Sequence, residues 1–397
     1  MAQILNRPIH RLANLRFRCD CGKDHRVDIQ KIIVGQGILA RIPELIRRTS
    51  TDSPESPPQV CLIADGNTWR AAGEAAAEVL AAAGIPAHPL LFPGDHRLTP
   101  DEAALGHILG GIRPTDDFLL TVGSGTLNDL TRFVSARTGI PYAIVATAPS
   151  MDGYASTVSP LILGGKKTTL SGVYPTGILA DIQVLKEAPM EMLTAGFGDI
   201  LGKLVSDADW RLAAALQGEA RCETCAALVS RAVDHCVTNA PALPARSAET
   251  VGLITEALIL SGVAMGLFGN SRPASGAEHH FSHYWEVDAL KRNQAHPLHG
   301  NSVGVGAVLA ASLYRLAAPL LPEGFQAPDP AQLRDILKAA GAPSTPQELG
   351  ISKDLFHDSI LNAMHARERY TILRFCHAQH QLENFGTQLT ETFYSGG

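Results

Sequence analysis

The stretch SGAEHHFSHYWE, residues 275–286, sets three histidines and two glutamates into twelve residues of a chain otherwise poor in charge. His279 and His283 are four apart, so a helix presents both on one side, while His280 points elsewhere. A further imidazole, His299, precedes the glycine-rich apolar run in PLHGNSVGVG, and GFGDILGK places Asp199 at the start of the first helix of the C-terminal half. One carboxylate and two imidazoles from three separate segments suit a divalent metal with one position left open for substrate. The competing readings are a surface histidine cluster and, for Asp199, a helix N-cap.

A second group suits a nucleotide. TVGSGTLND runs from an apolar strand through Gly123, Ser124 and Gly125 into a helix carrying Thr126 and Leu127, and free N–H groups at such a helix start bind phosphate. Asp65 ends the preceding strand in LIADG, where its carboxylate can accept from ribose hydroxyls or close an Asx turn. TAPSMDGYASTVSP follows a buried strand and offers Thr147, Ser150, Asp152 and Ser156, either to ligands or to its own backbone.

These groups sit in a chain of 397 residues with a net charge of −6, 45% hydrophobic and 18% charged, a size at which two domains are expected. No basic block or arginine-rich helix is present, which argues against a nucleic-acid partner. The N-terminal MAQILNRPIHRLANLRF lacks the apolar core and cleavage site of a signal peptide. The apolar run VGLITEALILSGVAMGLFG carries Glu256 and reads as a buried helix, with no membrane insertion. A cytoplasmic protein is expected.

Seven cysteines, an odd number, suit a reducing compartment. Cys19, Cys21 and His25 in CDCGKDH form half of a zinc-ribbon pattern, but no CxxC follows at ribbon spacing, so a β-hairpin is expected there. The lone CxxC, Cys222 and Cys225, lies in a helical pattern and is expected to hold buried, reduced thiols.

Positioning these residues takes two architectures. From about residue 31, strand-like runs (QVCLIADG, IPAHPLLFPG, DDFLLTVGSG, PYAIVATAPS) alternate with helical ones (NTWRAAGEAAAEVLAAAG, TPDEAALGHILGGI with a Thr cap, TLNDLTRFVSARTG), which predicts a parallel sheet flanked by helices. Past residue 190 the spacing is helical throughout. The expected division is an α/β Rossmann-like domain over 1–190 and an all-α domain over 191–397, with STDSPESPPQ and PALPARSAET as loops. Ligands are expected where the loops after parallel strands converge, in a cleft against the helical half.

The ordered set GSGTLND, TAPSMDGYAS, GFGD, SGAEHHFSH and HGNSVGVG resembles the sn-glycerol-1-phosphate dehydrogenases, of the superfamily of iron-type alcohol dehydrogenases, glycerol dehydrogenases and dehydroquinate synthases. The resemblance runs from about Ile33 to RERYTILRF near Arg369. It implies reversible, metal-dependent reduction of dihydroxyacetone phosphate to sn-glycerol 1-phosphate by NADH or NADPH, in a homodimer whose active site lies between the two domains. It implies NAD(P) contacts at Asp65, Gly123, Ser124, Gly125, Thr126, Leu127, Thr147, Ala148, Pro149, Ser150 and Ser156, and substrate contacts at Asp152 and His283. It makes Asp199, His279 and His299 the catalytic metal ligands, with no such role for His280. The long segment between His283 and His299 suits the bacterial branch, associated with nickel, over the archaeal one, associated with zinc. The substrate phosphate lacks an assigned counter-charge; Lys203, Lys166 and Lys167 are candidates. The alternatives are a glycerol (polyol) dehydrogenase, a dehydroquinate-synthase-like lyase, which typically has Glu where Asp199 stands, and a sensor without turnover.

Overall fold

The structure, a computed structural model, describes residues 4, 7–46, 57–94, 97–292 and 294–394. Residues 1–3 and 5–6 of the N-terminal stretch and 50–56 of the proline-bearing loop lie outside the described residues. The chain forms two compact units, one of residues 6–17 and 24–189, the other of 1–5, 18–23 and 190–397.

The first unit follows a short hairpin, β1 (Arg16–Arg18) and β2 (Asp24–Arg26), with strands β3 (Lys31–Gly35), β4 (Val60–Asp65), β5 (Ala87–Phe92), β6 (Phe118–Gly123), β7 (Tyr142–Ala146), β8 (Val158–Leu163), β9 (Lys166–Ser171) and β10 (Gly177–Asp181). Its main sheet is parallel, in the order β3-β10-β7-β6-β4-β5. Alternation along β4 explains why both faces are covered: Val60, Leu62 and Ala64 enter one core, Cys61 and Ile63 the other. Helices α1 (Glu74–Ala82), α2 (Glu102–Gly111) and α3 (Gly125–Thr138) connect the strands. Asp101, not Thr99, caps α2, its Oδ1 accepting from the Ala104 N–H at 2.9 Å. An antiparallel hairpin, β8–β9, was not anticipated; Gly164 and Gly165, at φ of +57° and +71°, make its turn.

After β5 the chain crosses β4 to lay down β6, so the sheet's order reverses between β4 and β6. The register aligns Ile63 with Thr121 and Gly123 with Ala146. Asp65, Gly123 and Thr147 therefore end three adjacent strands at the carboxyl edge, at the switch point where such sheets bind ligands.

The second unit contains α4 (Met190–Gln217), α5 (Glu223–Thr238), α6 (Ala248–Phe268), α7 (Ala277–Lys291), α8 (His299–Ala317), α9 (Pro330–Ala339), α10 (Lys353–Asn362), α11 (Ile372–Ala378) and α12 (Leu382–Tyr394). The expected loop over 241–250 is largely a 3-10 turn, Ala240–Ala245, followed by Ser247, which caps α6. Helix α6 and the segment 299–320 are long and apolar enough to cross a membrane by composition, yet their most apolar windows are 83% and 72% buried, as core helices are.

Asp199 does not start a helix. It is ten residues into α4, so the N-cap reading fails. The glycines around it serve close helix packing rather than a helix boundary. A Cβ on Gly300 of α8 would lie 1.8 Å from the Ala195 carbonyl oxygen, and one on Gly306 would lie 2.6 Å from the Glu278 carbonyl. Backbone-to-backbone approach brings α4 and α7 against α8. Gly300→Ala is accordingly expected to destabilise the protein by at least about 2 kcal/mol, because backbone, not a side chain, must yield. A denaturant midpoint within error of wild type would contradict this.

Candidate active site

The metal-ligand candidates all lie in the helical unit. Donor atoms of Asp199 (α4), His279 (α7) and His299 (the first residue of α8) lie within 4.8 Å of one another, and His279 Nε2 stands 3.7 Å from Asp199 Oδ1. Two nitrogen or oxygen ligands at about 2.1 Å from a tetrahedral centre are about 3.4 Å apart, so small side-chain movements suffice to close on an ion. The residues fit a divalent metal.

The surroundings prepare these ligands. Glu278 Oε1 lies 2.8 Å from His279 Nδ1, which directs Nε2 towards Asp199, and Ser282 Oγ lies 3.2 Å from His299 Nδ1. Burial, followed by the charges of Lys203, His299, Arg367 and Arg369, pushes His279 well below the usual histidine range, keeping it the neutral imidazole a metal needs. Burial also lifts Glu278 to about 8, with the Asp209 carboxylate adding to the shift. Lys203 Nζ donates to Asp199 Oδ1 at 2.5 Å, and neither side chain is exposed. Lys203 is therefore engaged with the candidate ligand Asp199.

His283 shares the helix face of His279, as its spacing predicts. Its ring centroid is 6.1 Å from that of His279 and 5.6 Å from that of His299. Glu286 also offers a donor atom near His283 and His299. His280 is fully buried, and burial, ahead of nearby arginines, pushes it down to about 3, so it is a neutral core histidine.

Spacing did not reveal what holds α7 and α8 in register. Asp209, buried on α4, accepts from the Ala277 N–H at 2.6 Å, the Ile372 N–H at 2.7 Å and the Tyr314 hydroxyl at 2.7 Å. It anchors the N-termini of α7 and α11 and one side of α8. Gly276 is required beside it, since a Cβ there would lie 2.5 Å from Asp209 Oδ2. No local pattern marks Asp209, because its partners are 63 or more residues away in the chain. Glu278 was more accessible to sequence reasoning, being a carboxylate next to a candidate ligand on an otherwise apolar helix.

The nucleotide candidates lie in the α/β unit. Ser124 stands at the N-cap of α3 without a side-chain capping bond, so no cap competes for the first N–H groups of the helix. This arrangement fits a pyrophosphate. Thr147 donates its N–H to the Gly123 carbonyl at 3.0 Å, tying the two loops together, and the Ala148 carbonyl accepts from the Tyr154 hydroxyl at 2.6 Å. Pro149 and Ser150 continue this buried turn. Asp65 caps the helical stretch 66–82, its Oδ1 accepting from the N–H groups of Asn67 and Thr68 at 2.9 and 2.8 Å. The Asx-type cap is thus formed.

Asp152 opens a 3-10 turn and Ser156 closes it, its Oγ accepting from the Val158 N–H at 3.1 Å. Arg132, buried in α3 and missed from sequence, fastens this loop: it donates to Asp129 Oδ1 at 2.5 Å, to the Val158 carbonyl at 2.9 Å and to the Gly153 carbonyl. Lys166 and Lys167 begin β9, beyond the hairpin turn; Lys166 is exposed and Lys167 half-buried.

Comparison with known proteins gives the family and the fold. Residues 33–189 match the family described as iron-containing alcohol dehydrogenase. The chain is 32% identical to a glycerol-1-phosphate dehydrogenase, NAD(P)+, of Halalkalibacterium halodurans, over 95% of this chain and 99% of that one. It is 35% identical to the protein of that name from Bacillus velezensis, over 89% of this chain and 95% of that one. Among solved structures, an iron-containing alcohol dehydrogenase from Thermococcus thioreducens superimposes with a TM-score of 0.68 at 17% identity, covering 92% of this chain and 98% of that one, a likeness of fold.

Glu278→Ala frees the His279 ring and is expected to weaken metal binding about 10- to 100-fold. Metal titration with a competing chelator measures this, and unchanged affinity would remove Glu278 from the site.

Proposed function

Because the chain belongs to the glycerol-1-phosphate dehydrogenase family of iron-containing alcohol dehydrogenases, we propose that it reversibly reduces dihydroxyacetone phosphate to sn-glycerol 1-phosphate with NADH or NADPH. A single observation carries the chemistry: one carboxylate and two imidazoles, Asp199, His279 and His299, converge within 4.8 Å. They hold one divalent metal per subunit, nickel or zinc, between which this donor set does not discriminate. When bound, the metal supplies Lewis acidity to a carbonyl oxygen and the nicotinamide supplies a hydride.

The chain's own residues bind and orient. The α3 N-terminus with Gly123 to Leu127 holds the pyrophosphate, the turn from Thr147 to Ser150 and Ser156 borders the nucleotide, and Asp65 faces a ribose. A carboxylate there disfavours a 2′-phosphate, and so favours NADH over NADPH. Asp152 and His283 contact the substrate, and His283 holds a proton near the oxygen that gains one. The reaction adds one hydride and one proton across the carbonyl, so both must be delivered.

Arg367 and Arg369 are the counter-charge we assign to the phosphate. Both charges act on His279, and burial together with the neighbouring Arg272 and Arg367 brings Arg369 down to about 9. Glu286 acts on Arg367, and Glu278 and Glu219 act on Arg369, and a bound phosphate would add to this counter-charge. The same reading makes the enzyme a cytoplasmic homodimer acting in glycerolipid synthesis.

Protein stripped with chelator and reloaded separately with nickel or zinc is expected to oxidise NADH with dihydroxyacetone phosphate only when metal is present. Asp199→Asn is expected to lose both metal and turnover. Full activity in that variant would remove Asp199 from the site, while turnover on glycerol alone would mark a polyol dehydrogenase. Arg367→Ala is expected to raise KM for dihydroxyacetone phosphate at least about tenfold, the scale of one charge-assisted hydrogen bond, with a smaller effect on unphosphorylated dihydroxyacetone. Equal loss on both substrates would refute the phosphate role.

A further inference from the structure

A second cluster of metal-binding side chains lies away in sequence from the aspartate and histidine ligands. Residues 18–23, the tip of the β1–β2 hairpin, belong to the helical unit although the strands continue into the other. The tip carries Cys19 and Cys21. Opposite them, the CxxC opens α5, with Cys222 at the N-cap and Cys225 in the first turn. Ligand atoms of Cys19, Cys21, Cys222 and His25, the last on β2, all lie within 4.8 Å of one another.

We infer that these side chains form a structural site for a soft divalent cation, zinc above all, fastening the hairpin to α5 through the sulfurs of Cys19, Cys21 and Cys222, with the His25 imidazole as the fourth ligand. The hairpin expected from sequence does form, but its two thiols meet the CxxC across a separation that no ribbon spacing covers.

The geometry separates a metal site from the alternatives. Cys19 Sγ and Cys222 Sγ are 3.7 Å apart across 203 residues of chain. Two thiolates bound at about 2.3 Å to one tetrahedral zinc stand about 3.8 Å apart. A disulfide requires about 2.05 Å, and none of the described cysteines is in one. Thr224 Oγ1 lies 3.4 Å from Cys19 Sγ, a hydrogen-bonding partner of the kind that supports a bound thiolate. Both CxxC sulfurs sit at a helix N-terminus, where the macrodipole favours the anionic form. Several thiols packed this closely resist ionising together without a cation, and a cation that displaces their protons removes that penalty. This site, three sulfurs and one imidazole, differs in chemistry from the aspartate and two histidines, which offer only nitrogen and oxygen.

The test uses the full chain. Purified wild-type protein is expected to carry about two metal equivalents, one per site, and zinc-edge X-ray absorption is expected to show a sulfur shell at about 2.3 Å beside nitrogen and oxygen, rising to about three sulfurs per zinc in Asp199→Ala/His279→Ala. Asp199→Ala/His279→Ala should keep the sulfur-bound metal, and its cobalt-substituted form the thiolate-to-cobalt charge-transfer absorption. Cys19→Ser/Cys21→Ser should lose that absorption yet keep metal at the other site, whereas Cys21→His, which restores a ligand, should retain zinc. The wild-type spectrum does not depend on any variant folding. Only nitrogen and oxygen ligands in it, or a Cys19–Cys222 disulfide by mass spectrometry, would overturn the inference.

Discussion

The Asp209 carboxylate is the fixed point of the helical unit. It is fully buried, and burial raises its pKa in spite of Tyr314, Arg272 and two backbone N–H groups. A buried acceptor of this kind is stabilising only while its donors stay in place, because losing one leaves polar groups desolvated and unpaired. Its donors are the starts of α7 and α11 and the Tyr314 hydroxyl of α8. The proposed histidine ligands stand on the same α7 and α8, so the interaction that holds the core also sets the geometry of that proposed site. Arg272 strengthens the arrangement by donating to the carbonyls of Asp209 and Tyr370, each at 3.0 Å.

The two units solve the positioning problem differently. In the α/β unit the functional groups are backbone N–H groups and short side chains at the ends of β4, β6 and β7, and the parallel register alone aligns them. Only the polar loop 150–156 needs more, and Arg132 supplies it from beneath. In the helical unit the proposed ligands are side chains from three helices, so precision depends on how closely the helix axes approach. The glycines of GFGDILGK and HGNSVGVG look like loop formers in sequence. They remain helical and give up side-chain volume so that α8 can lie backbone to backbone against α4 and α7.

Local chemistry explains what could be read early. Short apolar runs alternating with helical ones identified the strands and the turn at Gly123, and the four-residue spacing placed His279 and His283 on one face. The ligand trio Asp199, His279 and His299 was assigned through the ordered motifs of a family rather than through spacing alone. Asp199 was misplaced at a helix start because glycine ordinarily ends helices. Thr99 opens the run and is a good capping type, but Asp101, two residues on, takes the cap.

The sequence by itself determined the elements, the donor types and the order in which they occur, because propensity, periodicity and turn chemistry act over a few residues. Only the tertiary structure decided which of several carboxylates, cationic side chains and thiols meet. It assigned Lys203 to Asp199, gave Glu278 to His279, made Asp209 a hub, and set Cys19 beside Cys222 across 203 residues. The reason is physical: a buried charge or thiol is settled by whatever partner packing delivers within about 3–4 Å, and that partner has no fixed distance along the chain.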